Sequence, residues 1–179
     1  MTEEEIQKNK ERFNSLLRSV DREGIDCVID FLEKHDFYSM PSSLSRHHNW
    51  PGGLVQHSLG VHDRLKVTGE KLPLDSLVIT SLLHDICKVG KLYRDENGKW
   101  RERPDEQLHL KGHGMRSVNL LEKYGLRLSP DERNAIRWHM GGYNLPKEEI
   151  RDFFATKGSD LWRLHHNADR YDASHNPAI

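Results

Sequence analysis

The chain has 179 residues, a length typical of one domain, and its 27 Lys and Arg nearly balance its 28 Asp and Glu. A formal charge of −1 predicts no strong field that would attract nucleic acid or an anionic membrane. No stretch is apolar enough for a membrane span or a signal peptide, and the two cysteines show no CxxC spacing, so we expect a cytoplasmic protein. Twelve histidines are the conspicuous feature of the composition.

Apolar residues follow helical spacing through the first half of the chain. Thr2 and Glu5 form a capping-box pattern that predicts the start of a first helix. The segment 38–53, YSMPSSLSRHHNWPGG, is rich in Pro, Ser and Gly and predicts a long ordered loop. The other helices expected in this half lie at about 25–32, 54–70 and 73–90.

The second half begins with the one β signal in the sequence, LYRDENGKWRER at 92–103, where Asn97-Gly98 favours a tight hairpin turn with positive φ angles. Ser129 and Pro130 then have the order of a helix N-cap and first helical residue. The helices expected in this half lie at about 109–125, 129–140, 148–155 and 159–173. The sequence therefore predicts an all-α fold, a bundle of seven or eight helices with one small β-hairpin.

Side chains that bind metals recur along the chain at intervals of about one helix and its connection, so a bundle could bring them to one centre. They are His57, His84, Asp85, His113, His139 and Asp169. Any one of these histidines alone would more often be an ordinary hydrogen-bonded residue. Six such ligands exceed what one four-coordinate ion requires, which predicts two divalent ions, with Mn, Fe, Mg, Zn and Ni all open.

The adjacent pair His84 and Asp85 follows the apolar run 77–83, where an uncompensated charge is costly. On an ideal helix the two side chains point about 100° apart, so both can bind only if the metal lies in the wedge between them. Asp85 has two oxygens and could span two ions while His84 holds one. Two ions about 3.5 to 4 Å apart would activate a bridging water and polarise a phosphoryl oxygen.

The order H, HD, H, H, D, with the local sequences LLHDICKVGK and HHNADRYDA, resembles the HD-domain metal-dependent phosphohydrolase superfamily. The resemblance extends over 47–173, which would be the HD core of a single domain 1–179, with N-terminal helices and a loop at 1–46. The stretch HHNWPGGLVQHSLGV is similar to the HD portion of bacterial exoribonucleases that trim RNA from its three-prime end. The resemblance implies an HD-domain-like helical fold and a metal centre of His57, His84, Asp85 and Asp169, with His113 and His139 adding a second ion bridged by Asp85.

Three further residues are candidates for binding substrate. Lys88 lies three residues after Asp85 and, by the resemblance, would help to bind phosphate or donate a proton. Arg116 lies three residues after His113 and could form a forked contact with a phosphate. His48 belongs to a loop that precedes a rigid Pro-Gly-Gly turn and could cover the site. Each of these residues also has an interpretation without function: Lys88 as a solvated lysine, Arg116 as an ordinary surface arginine, and His48 as part of an ordinary surface loop.

These observations predict a metal-dependent phosphohydrolase that cleaves a phosphomonoester or phosphodiester, with Asp85 and Lys88 as catalytic residues. We expect a phosphorylated small molecule or nucleotide as its partner and no membrane. The similar exoribonucleases also carry an OB-type module for which this chain has no room, and its charge does not favour polymeric RNA. Two alternatives stay open: an HD-fold diiron oxygenase with the same ligand order, and a non-catalytic nucleotide-binding sensor module.

Overall fold

Eight α-helices and one hairpin make up the part of the chain that the computed structural model describes, residues 1–103, 112–142, 145 and 147–178. The helices are α1 (Glu3–Arg18), α2 (Ile25–Glu33), α3 (Gly53–Thr68), α4 (Leu74–Leu83), α5 (His113–Lys123), α6 (Pro130–Arg137), α7 (Lys147–Thr156) and α8 (Asp160–His175). The hairpin pairs β1 (Leu92–Arg94) with β2 (Trp100–Glu102). This architecture confirms the predicted all-α bundle with a hairpin near 92–103. The predicted helix start at His109 lies outside the described residues.

Two helices begin with the hydrogen-bonded caps that their sequences predict. At α1, the Thr2 hydroxyl accepts from the Glu5 amide at 3.2 Å, and the Glu5 carboxylate accepts from the Thr2 amide at 2.8 Å. Ser129 and Glu132 make the same reciprocal pair at α6, at 3.2 and 2.7 Å. Each box satisfies amide groups that no helical carbonyl can reach, so local sequence alone determines where these helices begin.

Helix α4 lies at the centre of the molecule and packs against α1, α3, α6 and α8. Its residues 77–83 are all buried, as expected of a helix that is apolar on every side. The main hydrophobic core joins α4 to the N-terminal helices through Phe13, Leu17, Ile79 and Leu82. The polar residues that follow α4 therefore emerge in the interior of the bundle. In the described residues, no helix is both long enough and apolar enough to cross a membrane.

The hairpin turn is built differently from the tight turn that was predicted. The Asp95 carboxylate accepts hydrogen bonds from the amides of Asn97 and Lys99, at 3.0 and 2.9 Å. These bonds shape the turn so that Gly98, with φ of 74°, is the one residue of the turn with positive φ. The prediction of positive φ at Asn97 was therefore wrong, while the strand pairing was right.

Candidate metal centre

The HD dipeptide does not lie within a helix, contrary to the sequence-based expectation. Helix α4 ends at Leu83, His84 is its C-cap with φ of −57°, and Asp85 leaves helical geometry with φ of −106° and ψ of 14°. A short 3-10 turn, Ile86–Lys88, follows. This break removes the separation of about 100° that an ideal helix would impose. As a result, His84 Nε2 and Asp85 Oδ2 lie 3.6 Å apart.

Four buried side chains bring ligand atoms together around His57 of α3. Its Nε2 atom lies 3.3 Å from His84 Nε2, 3.1 Å from Asp169 Oδ1 and 3.8 Å from Asp85 Oδ2. Asp169 comes from α8, which packs along α3. Two imidazoles and two carboxylates at this spacing are a ligand set of the size that a single divalent ion takes.

The second oxygen of Asp85 faces a different pair of histidines. Asp85 Oδ1 lies 2.5 Å from His113 Nε2 and 3.5 Å from His139 Nε2. His113 is the first residue of α5, and His139 follows the end of α6. The structure thus brings together all six side chains that the sequence singled out as metal ligands, with the Asp85 carboxylate between two histidine sets.

Three of these imidazoles are held on the side away from the centre by hydrogen bonds from Nδ1. The acceptors are the Ser81 carbonyl for His84 (2.9 Å), the Ile136 carbonyl for His139 (2.7 Å) and the Asp172 carboxylate for His57 (2.7 Å). Carbonyl and carboxylate oxygens only accept here, so Nδ1 carries a proton, and whenever the ring is neutral Nε2 presents a lone pair to the centre. That is the tautomer that binds a metal through Nε2.

His139 supplies an independent indication that the residues fit a cation. Its side chain is buried, and within the described part of the chain Nε2 has no hydrogen-bond partner. A buried acceptor without a partner is costly, whereas a metal ion would satisfy it. The groups His57–His84–Asp169 and His84–Asp85–His139 each have ligand atoms within 4.8 Å of one another, and since they share His84, either one could hold an ion.

Charged groups around the centre keep its carboxylates ionised. Burial acts to raise the pKa of Asp85, but its charged neighbours, Lys88 first, outweigh burial and hold that pKa well below the usual value. Lys88 Nζ lies 2.6 Å from Asp85 Oδ2. For His57, burial lowers the pKa, but Asp169 and Asp172 outweigh it and raise the pKa to about 9. A metal ion binding at Nε2 must therefore displace a proton that the carboxylates favour.

Asp172 belongs to the site although the sequence analysis did not select it. It is buried on α8, three residues after Asp169 and on the same helix face, and accepts the Nδ1 hydrogen bond of His57. Gly60, three residues after His57 on α3, leaves room for it, since a Cβ atom there would lie 2.0 Å from Asp172 Oδ1. Asp172 lies three residues after Asp169, and Gly60 lies three residues after His57. These two spacings were the sequence signal that could have identified Asp172.

His165 is a further buried imidazole beside the centre. Its ring centroid lies 5.1 Å from that of His84 and 6.2 Å from that of His139. Burial is the main cause that lowers the pKa of His165 to about 4, so the ring is neutral. The neighbouring His166 contacts the backbone of His139 instead, with Nδ1 donating to its carbonyl at 2.5 Å.

A cavity of about 420 Å³ opens onto the centre, within the size range of pockets for small organic ligands. Its lining includes Asp85, Asp169, His113, Lys88, Lys91, Leu92, Glu102, Met140 and the loop residues 42–47. Among the predicted substrate-binding residues, Lys88 lines this cavity and donates a hydrogen bond to the Ser42 hydroxyl at 2.9 Å.

The other two candidates do not line this cavity. Arg116 lines a separate surface pocket with Cys87. His48 is buried behind the loop, with Nε2 3.4 Å from Asp172 Oδ2. Its backbone has a positive φ of 47° and is held by the amide of Ser42 and the carbonyl of Asn176. This conformation leaves His47, the preceding residue, as the histidine of the loop that lines the cavity.

The HD domain family model matches residues 54–174, which is more than half of the chain. The chain belongs to the HD domain family. Proteins of this family are generally metal-dependent phosphohydrolases and typically bind divalent metals, and the buried His and Asp groups described above could hold such an ion. The match is to the family as a whole and does not single out exoribonucleases. No curated protein and no solved structure matches the chain.

Proposed function

We propose that this HD domain protein is a dinuclear metal-dependent phosphohydrolase that cleaves a phosphomonoester or phosphodiester, with nucleotides the favoured class. The arrangement of Asp85 carries the proposal. Its Oδ2 lies 3.6 Å from His84 Nε2, whereas its Oδ1 lies 2.5 Å from His113 Nε2. Because each oxygen belongs to a different histidine set, one carboxylate can serve two ions.

The protein's own groups have distinct tasks in this proposal. His57, His84 and Asp169 would hold one ion, His113 and His139 the other, and Asp85 both. When bound, a pair of divalent ions lowers the pKa of water and polarises a phosphoryl oxygen. The buried Asp85 and the Nδ1 hydrogen bonds keep the ligands in place, so little rearrangement is needed when substrate binds.

Among the lysines and arginines of the described structure, Lys88 is the one nearest to the candidate ligands. Its side chain is about one tenth exposed, lines the cavity, and is positioned by Asp85 Oδ2 at 2.6 Å and Ser42 Oγ at 2.9 Å. An ammonium group has three donors and acts as a point charge, which suits phosphate oxygens. We assign Lys88 to binding the reacting phosphate and to neutralising or protonating the departing oxygen.

The test begins with elemental analysis of protein purified without chelator. The same sample is then assayed with Mn, Fe, Mg, Zn and Ni on p-nitrophenyl phosphate, bis(p-nitrophenyl) phosphate, nucleotides and short RNA. Asp85→Ala should lose both metal and turnover. Lys88→Ala should retain metal while kcat falls on the order of 100-fold, the usual contribution of a positioned acid. Lys66→Ala, which removes an exposed lysine of α3, is the matched control.

Each alternative has its own outcome in this screen. Full metal content in Asp85→Ala would contradict the assignment of the centre. Oxygen consumption with iron, without hydrolysis under any metal, would indicate the diiron oxygenase. A nucleotide that binds and stays intact with every metal would indicate the sensor module.

A further inference from the structure

One wall of the cavity is a hydrogen-bonded loop, residues 42–47, here called the cavity loop. The Ser42 amide donates to the His48 carbonyl at 2.9 Å and closes the loop. Inside it, the Ser43 hydroxyl accepts from the Arg46 amide at 2.8 Å and donates to the His47 carbonyl at 3.2 Å. His47 also forms an isolated β-bridge with Pro177, so the loop is anchored at both ends.

Three lysine and arginine side chains line the cavity, and two of them already have acidic partners. Lys88 Nζ lies 2.6 Å from Asp85 Oδ2, and Lys91 Nζ lies 2.8 Å from Glu102 Oε1. The third is Arg46, whose guanidinium makes no ion pair or hydrogen bond with any residue that the structure describes. It therefore has five N–H donors available for a ligand.

Arg46 lies farther from the metal ligands than Lys88 does. Lys88 is tied to Ser42 at the base of the cavity loop by a hydrogen bond of 2.9 Å. Arg46 lies at the exposed tip of the loop, after Leu44 and Ser45. The cavity thus has one cation beside its metal-facing floor and a second, unpaired cation at its rim.

The cavity that these two cations line has a volume of about 420 Å³, within the range of pockets that hold whole small organic ligands rather than a single phosphate. Leu44 is 40% exposed and Met140 is 61% exposed, so the rim also offers apolar surface. A ligand with two anionic groups joined by an organic group would match these features. One anionic group would lie beside Lys88, the organic group against the apolar rim, and the second anionic group beside the guanidinium of Arg46.

We propose that the substrate is a small organic phosphate with a second, separate phosphate group, of the nucleoside bisphosphate class, and that Arg46 binds this second group. The inference rests on the proposed function, in which the metal centre and Lys88 hold the reacting phosphate. A guanidinium suits the distal group because it can form two parallel hydrogen bonds with one phosphate.

The experiment compares kcat/KM for adenosine 3′,5′-bisphosphate, 3′-AMP and 5′-AMP with the metal-loaded full chain. The unmodified protein should prefer the bisphosphate at least tenfold, since a charge-assisted hydrogen bond is worth about 1.5 kcal/mol or more. In Arg46→Ala this preference should fall to within twofold. Arg46→Lys should keep part of the bisphosphate preference, because the positive charge remains while the two parallel N–H donors of the guanidinium are lost. Arg151→Ala, an exposed arginine of α7, controls for loss of a positive charge.

The outcomes separate this inference from the proposed function. If p-nitrophenyl phosphate is hydrolysed but the bisphosphate preference is absent or equal in Arg46→Ala, the inference is overturned and the function stands. Loss of the preference in Arg116→Ala instead, or better turnover of short RNA than of the bisphosphate, would also overturn it. If nothing is hydrolysed, the proposed function fails. Calorimetric affinities of the metal-loaded protein for the bisphosphate and 5′-AMP then decide the inference: tighter bisphosphate binding that is lost in Arg46→Ala supports it, and equal affinities overturn it.

Discussion

The carboxylate of Asp172 accepts a hydrogen bond of 2.7 Å from Nδ1 of His57, whose other ring nitrogen faces the other candidate metal ligands. The bond fixes the tautomer of His57 and makes its free nitrogen a stronger base. Asp172 is held in turn by the side chain of Asn176, at 3.4 Å from Oδ1. The centre therefore depends on residues that would not themselves contact a metal.

Replacing Asp172 with Asn should weaken metal binding about 10- to 100-fold, the usual effect of losing such an outer carboxylate. The amide keeps the shape of the side chain but removes the negative charge that supports His57. Isothermal titration with Mn²⁺ measures the affinity, and circular dichroism checks the fold. Asp30→Asn, at an exposed carboxylate of α2, serves as the control. An unchanged affinity in Asp172→Asn would rule out this role.

Gly60→Ala should destabilise the protein although alanine is normally the better helix former. The helix propensity favours alanine by about 1 kcal/mol. The new Cβ would lie 2.0 Å from Asp172 Oδ1 and 2.8 Å from its Cγ. Asp172 must therefore move, and its hydrogen bond with His57 is lost. We expect a net loss of about 1 to 3 kcal/mol, as for other overpacked sites, together with weaker metal binding.

Urea denaturation with and without metal measures this effect. Gly158→Ala is the control, because the nearest atom to its Cβ is the Ala155 carbonyl oxygen at 4.0 Å. A Gly60→Ala variant as stable as the unmodified protein, with the same metal affinity, would show that Asp172 can relocate without consequence.

Metal binding should raise the melting temperature, because the ligands converge only in the folded chain. At a free metal concentration of 100 times Kd, the gain is about 2.7 kcal/mol, which corresponds to about 5 to 10 °C for a domain of this size. Differential scanning fluorimetry with metal and with chelator measures the shift. Asp85→Ala should show little of it, and a shift of the same size in that variant would mean that metal binds elsewhere.

Glu132 should make stability depend on pH in the acidic range. Its buried carboxylate accepts hydrogen bonds from Arg22 at 2.9 Å, Ser76 at 2.7 Å and the Ser129 amide at 2.7 Å. Burial raises its pKa, but these partners outweigh burial and lower the pKa below the usual 4.5. The stabilisation is therefore fully present above about pH 4.5 and is lost as the pH falls through the lower, folded-state pKa.

Glu132→Gln should cost about 3 kcal/mol at pH 7, because Arg22 then has no buried anionic partner. The variant should also lose stability less steeply than the unmodified protein between about pH 5 and pH 3. Chemical denaturation at several pH values measures both effects, with Glu3→Gln, an exposed glutamate of α1, as the control. Parallel pH profiles for the two proteins would show that Glu132 does not contribute to the acid sensitivity.

Some features follow from local sequence, and these were predictable. The caps at Thr2 and Ser129 are formed by side chains three residues from their partners. The spacing of His57, His84 and His113 by about one helix and its connection indicated convergence, because consecutive helices of a bundle lie side by side. The helix break at Asp85 was not predictable in this way, since the preceding apolar run has no glycine or proline to signal an end.

The cavity loop likewise has features that its local sequence does not predict. The sequence contains two adjacent histidines and an arginine, and nothing in their order indicates which faces the cavity. The positive φ of His48 is held by the carbonyl of Asn176, which comes from the other end of the chain. That contact leaves His48 buried and His47 and Arg46 at the cavity. Such an assignment requires the packed structure.

The amino-acid sequence by itself determined the helical class and the chemistry of the ligand set, because periodicity and residue type are local properties. Only the tertiary structure decided that Asp85 directs its two oxygens to different histidines, that Asp172 supports His57, and that Arg46 lies at the cavity rim. The reason is physical: the direction of a side chain depends on backbone angles and contacts imposed by segments distant along the chain.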